Sequence, residues 1–116
     1  IVNFLKHRHL SVTMKPVLII STYPNKKSIL KIANDLLKTK IIACVNISKI
    51  DSIYSWNDKI QNSAEYIAIF KTVTKNKSKL KKKIAETHPY DVPEIAEIDV
   101  TSINKSYLNW LIESTN

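Results

Sequence analysis

The 116-residue sequence contains no glycine. Every backbone position that needs a positive φ must therefore be filled by a residue with a Cβ, and glycine-rich phosphate-binding loops are excluded. A single cysteine, Cys44, rules out an intrachain disulfide and any multi-cysteine zinc or iron–sulfur site. There is one arginine, Arg8, although the formal net charge is +8. Arginine is the residue suited to bidentate recognition of phosphate and guanine, so this charge, almost all lysine, is a weak signal for nucleic acid. No apolar run approaches the ~20 residues that a membrane-spanning helix needs. Neither a nucleophile elbow nor an HExxH motif is present, and no paired acid–base arrangement can be inferred, so no enzymatic activity is expected.

What is present fits one domain. A chain of this length hides roughly two-thirds of its unfolded surface on folding, enough for one core. Lysine, asparagine and isoleucine are abundant, which reads as compositional drift that decorates the surface with solvated lysines. No nucleic-acid or membrane partner is expected. Residues 1–14 differ from the rest: Lys6, His7, Arg8 and His9 cluster there, and no acid precedes Asp35. This is either the remnant of a basic targeting peptide or an extension ahead of a natural start at Met14. A reducing compartment, the cytoplasm, is expected, with an organelle as the alternative if the extension is a transit-peptide remnant.

From Lys15 onward the pattern is regular. Val17 to Thr22 reads as a buried strand stopped by Pro24, with Asn25 as a helix N-cap. Ile29, Ile32, Ala33, Leu36 and Leu37 recur at helical spacing in a helix that ends near Lys40. Ile41 to Ile47 reads as a second strand, resuming through Ile53 to Trp56 after an interruption. Asn57-Asp58 has the character of a two-residue type I′ turn, and the returning strand covers about Lys59 to Val73. Leu80 and Ile84 mark a second helix over about Lys75 to Thr87. In the segment from His88 to Glu94, Pro89 and Pro93 hold His88 and Val92 extended. A fourth strand is expected over Ile95 to Thr101, then a final helix capped by Asn104.

This order, β-α-β-β-α-β plus one helix, predicts an α+β ferredoxin-like sandwich with a long β2–β3 hairpin and an extra C-terminal helix. Alternation along the third strand puts Tyr66, Ala68 and Phe70 on one face and Ile67 and Ile69 on the other. Two helices cover one face only, so the second needs a partner copy or the last helix. Tyr54, Trp56 and Trp110 add aromatic area of the kind found at interfaces.

Several ordered segments resemble the CutA divalent-cation tolerance family across residues 16–112: Ala43-Cys44-Val45-Asn46, Ser52-x-Tyr54-x-Trp56-x-x-Lys59-Ile60, Glu65, Lys71-Thr72, His88-Pro89-Tyr90-x-Val92-Pro93-Glu94 and Tyr107-Leu108-x-Trp110. The resemblance implies a homotrimer whose long hairpins pair between subunits, an architecture like that of the PII signal transducers, and a role in tolerance of copper or another divalent cation without catalysis. Family glycines ahead of the Ala-Cys segment and in the hairpin turn are replaced by Ile41 and Asp58. Some members bind copper through a cysteine on the first strand and a histidine just before the His-Pro-Tyr motif. Ser21 and Thr87 stand at those places.

The candidate metal ligands are His88, Glu65 and Cys44, with Asp91 and Glu94 as possible helpers. His88 is otherwise a locally packed ring, and Cys44 a small buried hydrophobe. Tyr54, Trp56, Tyr90 and Trp110 line either a small-molecule pocket between subunits or an ordinary interface. Lys59, Glu65, Lys71 and Glu94 are candidates for a charged cluster that anchors an anion, or for an interface ion pair. His7 and His9 form an isolated pair on the extension. Alternative functions are a PII-like ligand sensor and an RNA-binding module; the third strand lacks the glycine and arginine pattern of the latter.

Overall fold

The computed structural model describes residues 14–116. The basic extension and its His7–His9 pair lie outside the described residues, apart from Met14. Met14 is buried in a small cluster with Val73 and Leu111.

Strand β1 (Pro16–Tyr23) alternates between buried and half-buried side chains. Pro24 ends it, and the Asn25 side chain accepts the Ser28 amide at 2.8 Å, capping helix α1 (Lys26–Lys38). Ile29, Ile32, Ala33 and Leu36 face the sheet. At the other end of α1 the chain turns through Lys40, whose φ is 62°. The Ile41 amide donates to the Leu36 carbonyl at 2.9 Å, and the Lys40 amide to that of Leu37 at 3.2 Å. That is a Schellman closure, a position that glycine normally fills. Lys40, not Ile41, therefore carries the left-handed backbone. The closure returns Ile41 and Ile42 to the core, which is why they precede the second strand instead of opening it.

Strand β2 (Cys44–Trp56) runs without the expected interruption and pairs residue by residue with β3 (Lys59–Val73), from Cys44 opposite Lys71 to Trp56 opposite Lys59. The polar stretch around Lys49 and Asp51 is indifferent to a ladder made by backbone groups. Asn57 and Asp58, at φ 52° and 63°, form the turn. A short 3-10 turn (Thr74–Asn76) leads into α2 (Lys77–Thr87), which buries Leu80 and Ile84. Strand β4 (Ala96–Asp99) is shorter than the sequence suggests, because β1 offers it partners only at Val17 to Ile20. Helix α3 (Lys105–Ser114) follows Asn104, which is extended there, but its amide donates to the Ser106 hydroxyl instead of capping the backbone.

The sheet order is β2-β3-β1-β4, every neighbouring pair antiparallel. Helices α1 and α2 cover one face over Val17, Ile19, Ala68 and Phe70. The opposite face presents Leu18, Ile20, Ile67 and Ile69, all half-buried, and Ile98, 41 % exposed. Helix α3 caps only one end of that face, around Val73. Strand β1 pairs with β3 no further than Tyr23–Tyr66, so the hairpin beyond it stands clear of the sheet.

Replacing Lys40 or Asp58 by glycine removes a left-handed Cβ clash and should stabilise the domain by up to about 1 kcal/mol each, whereas Lys40→Val should destabilise it. Urea denaturation measures both. Equal midpoints for all variants would contradict the backbone assignment.

Candidate functional site

Where the hairpin leaves the sheet, the two-proline loop folds against it. His88 ends α2 with an extended backbone (φ −70°, ψ 136°), as Pro89 dictates. Its ring lies on Tyr23, centroids 4.2 Å apart and 24° from parallel, and meets Tyr90 at 5.1 Å. The Tyr90 amide donates to Nδ1 at 3.0 Å, so Nδ1 is unprotonated. The proton is then on Nε2, which donates to the Thr22 carbonyl at 2.9 Å and lies 3.1 Å from the Ser21 hydroxyl. Burial holds the His88 pKa below its usual 6.5, against the opposing pull of the Thr22 carbonyl.

The arrangement continues outward. Tyr90 donates its hydroxyl to Glu65 Oε2 at 2.7 Å. Burial, then the bond and charge of Glu65, raise the Tyr90 pKa far above its ordinary value, so the phenol remains a donor. Beside this pair a cleft of ≈ 720 Å³ opens between hairpin and loop, lined by Tyr54, Trp56, Glu65, Tyr90, Asp91 and Val92 among others. Tyr54 bridges the hairpin through the Ser63 hydroxyl at 3.1 Å, while Trp56 is 64 % exposed.

The expected metal trio is not assembled within one chain. Cys44 faces Lys71, six residues along β3 from Glu65, which is about 20 Å of strand. Both nitrogens of His88 are engaged, and no group of three His, Cys, Asp or Glu suited to a metal ion occurs among the described residues. The charged cluster is not formed either. Lys71 Nζ donates to the Tyr107 hydroxyl at 3.3 Å, Glu65 is held by Tyr90, and Lys59 and Glu94 are exposed. The only ion pairs among the described residues join Lys77 and Lys81 to Glu97. Trp110 packs on Tyr107 at 5.4 Å, at the far end of the sheet from the cleft. Tyr54, Trp56, Glu65 and Tyr90 do converge.

In the sequence Tyr23 carried no sign of a role and Ser21 was marked only as the residue at a family cysteine position, yet both touch His88. The buried Tyr23 hydroxyl lacks a hydrogen-bond partner, and burial pushes its pKa up to about 12, with the nearby Ser21 hydroxyl opposing weakly. Ser21 is not activated by His88: Nε2 carries the proton, and the hydroxyl is fully buried.

A split βαβ sandwich with an overlong hairpin and a histidine locked between two tyrosines by a proline loop defines a ferredoxin-like α+β domain of a particular kind. The chain belongs to the CutA1 divalent ion tolerance protein family, whose sequence profile matches residues 17–114. It is 42% identical to the divalent-cation tolerance protein CutA of Pyrococcus horikoshii, over 85% of this chain and 97% of that one. Identity to the chloroplastic CutA of Arabidopsis thaliana is 36%, over 90% of this chain and 58% of the relative. The crystal structure of the divalent ion tolerance protein CutA1 from Ehrlichia chaffeensis superposes with a TM-score of 0.84 at 38% identity, covering 88% of this chain and 96% of that one.

Since burial disfavours charged His88, the unfolded chain takes up a proton first as pH falls. The stability that His88 contributes is complete above pH 6.5 and is lost as pH falls below that value toward the folded-state pKa. Thermal unfolding followed across this window should show the loss in the native protein and a flatter profile in His88→Gln. Tyr90→Phe leaves Glu65 without its donor and should cost about 1.5–3 kcal/mol; a change below a few tenths in urea denaturation would contradict the bond.

Proposed function

We propose that the chain works in divalent-cation tolerance as a homotrimer that binds or responds to metal ions, copper among them, and catalyses no reaction. The observation that carries this reading is the aliphatic face built from Leu18, Ile20, Ile67 and Ile69, which α3 covers at one end only. Burying such side chains stabilises association by about 1.5–3 kcal/mol each. The projecting hairpin supports it further. Among the described residues the outer edge of β2 has no strand neighbour, and neither has the β1-facing edge of β3 beyond Tyr66. Two such edges from different copies suit antiparallel pairing.

The absence of catalysis is supported by His88, whose ring nitrogens are both committed to holding the loop. Ser21 stands in place of a thiolate beside that ring, which removes the donor copper favours. Cation contact is then weak and supplied by oxygen donors of the cleft, Glu65 and Asp91, completed by another copy. A second reading, a PII-like sensor of a small ligand, is favoured by the cleft with Tyr54 and Trp56 on its wall. An RNA-binding sheet gains no support, since Leu18, Ile20, Ile67 and Ile69 provide no aromatic stacking platform. The cytoplasm remains our placement, and the chloroplastic relative favours an organelle as the alternative.

Light scattering at micromolar concentration should report three chains; a monodisperse monomer would overturn the assembly. In copper titrations His88→Ala should leave the isotherm unchanged, whereas Glu65→Gln combined with Asp91→Asn should weaken it. Loss of a binding class in His88→Ala alone would reinstate the imidazole as a ligand. Thermal shift against nucleotides and anions separates the sensor from the metal binder.

A further inference from the structure

The lysines are not spread evenly. The two segments that form the helical layer, residues 26–40 and 75–87, hold eleven lysines and two acids, whereas the other described residues hold five lysines and eight acids. Neutral drift would scatter charge over every exposed surface. Here the helical layer is strongly positive and the remainder slightly negative.

The geometry concentrates this charge outward. Ile29, Ile32, Ala33 and Leu36 of α1 and Leu80 and Ile84 of α2 face the sheet, and the two helices lie side by side on it. Lys77 and Lys81 turn to the sheet edge and bind Glu97 at 3.1 and 2.7 Å. Lys27, Lys31 and Lys38 on α1 and Lys79, Lys82 and Lys83 on α2 remain exposed. The acids of this layer, Asp35 and Glu86, are exposed too and line the groove between the helices with Lys31 and Lys83, so they offset part of the charge there and leave the layer strongly positive. Two leucines stand among the lysines: Leu30 at 45 % and Leu37 at 42 % exposure, seven residues apart and so on one stripe of α1.

We propose that this helical face adsorbs to anionic lipid bilayers as a peripheral surface. Diffuse attraction of lysine to acidic headgroups needs no bidentate geometry, and the face carries neither arginine nor aromatic side chains with which to read a nucleic acid. Leu30 and Leu37 can enter the headgroup boundary, a use that a phosphodiester backbone would not give them. No helix among the described residues is long and apolar enough to cross a membrane, so the contact is adsorption only. This proposal departs from the expectation of solvated lysines and no membrane partner.

Vesicle flotation of the whole chain tests this. Phosphatidylcholine vesicles containing phosphatidylglycerol should carry the protein at low ionic strength and release most of it at high salt, while pure phosphatidylcholine should not bind. Each lysine near the surface strengthens adsorption roughly fivefold, so the triple variant Lys79→Gln/Lys82→Gln/Lys83→Gln should bind about a hundred-fold more weakly with unchanged thermal unfolding. Leu30→Ser with Leu37→Ser should remove the fraction that survives high salt. Equal flotation with neutral vesicles, no flotation with anionic ones, an unchanged triple variant, or a mixed-sequence oligonucleotide that displaces the protein from vesicles would each overturn the proposal.

Discussion

A four-stranded sheet that is aliphatic on both faces is the constraint from which the rest of this molecule follows. Alternation along β1 and β3 places Val17, Ile19, Ala68 and Phe70 under the helices, and with equal regularity Leu18, Ile20, Ile67 and Ile69 on the reverse. Among the described residues one further helix is available for that reverse face. It is used at the β3 terminus, where Met14, Val73 and Leu111 make a second small core. The middle of the face stays half-exposed. The hairpin adds to this, because its distal half does not pair with β1.

The absence of glycine shows how much of a fold rests on backbone hydrogen bonding and how little on ideal residue choice. Among the described residues three positions adopt a left-handed backbone, and Lys40, Asn57 and Asp58 fill them. Asn and Asp enter this region at modest cost because their short polar side chains bond locally. Lys40 has no such help. The closure survives because Ile41 is drawn into the core beside Leu36, so burial of an isoleucine offsets backbone strain.

Most of the architecture was legible in the sequence because periodicity reports burial directly. The strand alternation, the helical stripe of α1 and the Asn57-Asp58 turn all follow from local chemistry. Errors fell where a tertiary partner decides. β2 runs through its polar middle because β3 is opposite it, and β4 stops where β1 has no partner left. The site was half legible. Glu65, Tyr90, Tyr54 and Trp56 meet, but His88 is committed to the loop and Cys44 lies at the other end of the hairpin. Spacing along a chain cannot reveal that Ser21 and Tyr23 reach His88 from a strand 67 and 65 residues away in sequence, since only folding brings them together.

The bare flank of β2 also carries a hazard. The outward peptide groups of this thirteen-residue strand invite any extended segment to join. Lys49 and Asp51 along that flank act as sentinels, since unlike neighbours in a growing stack would have to bury them. High local concentration is therefore the circumstance in which this edge is most exposed to fibrous misassembly.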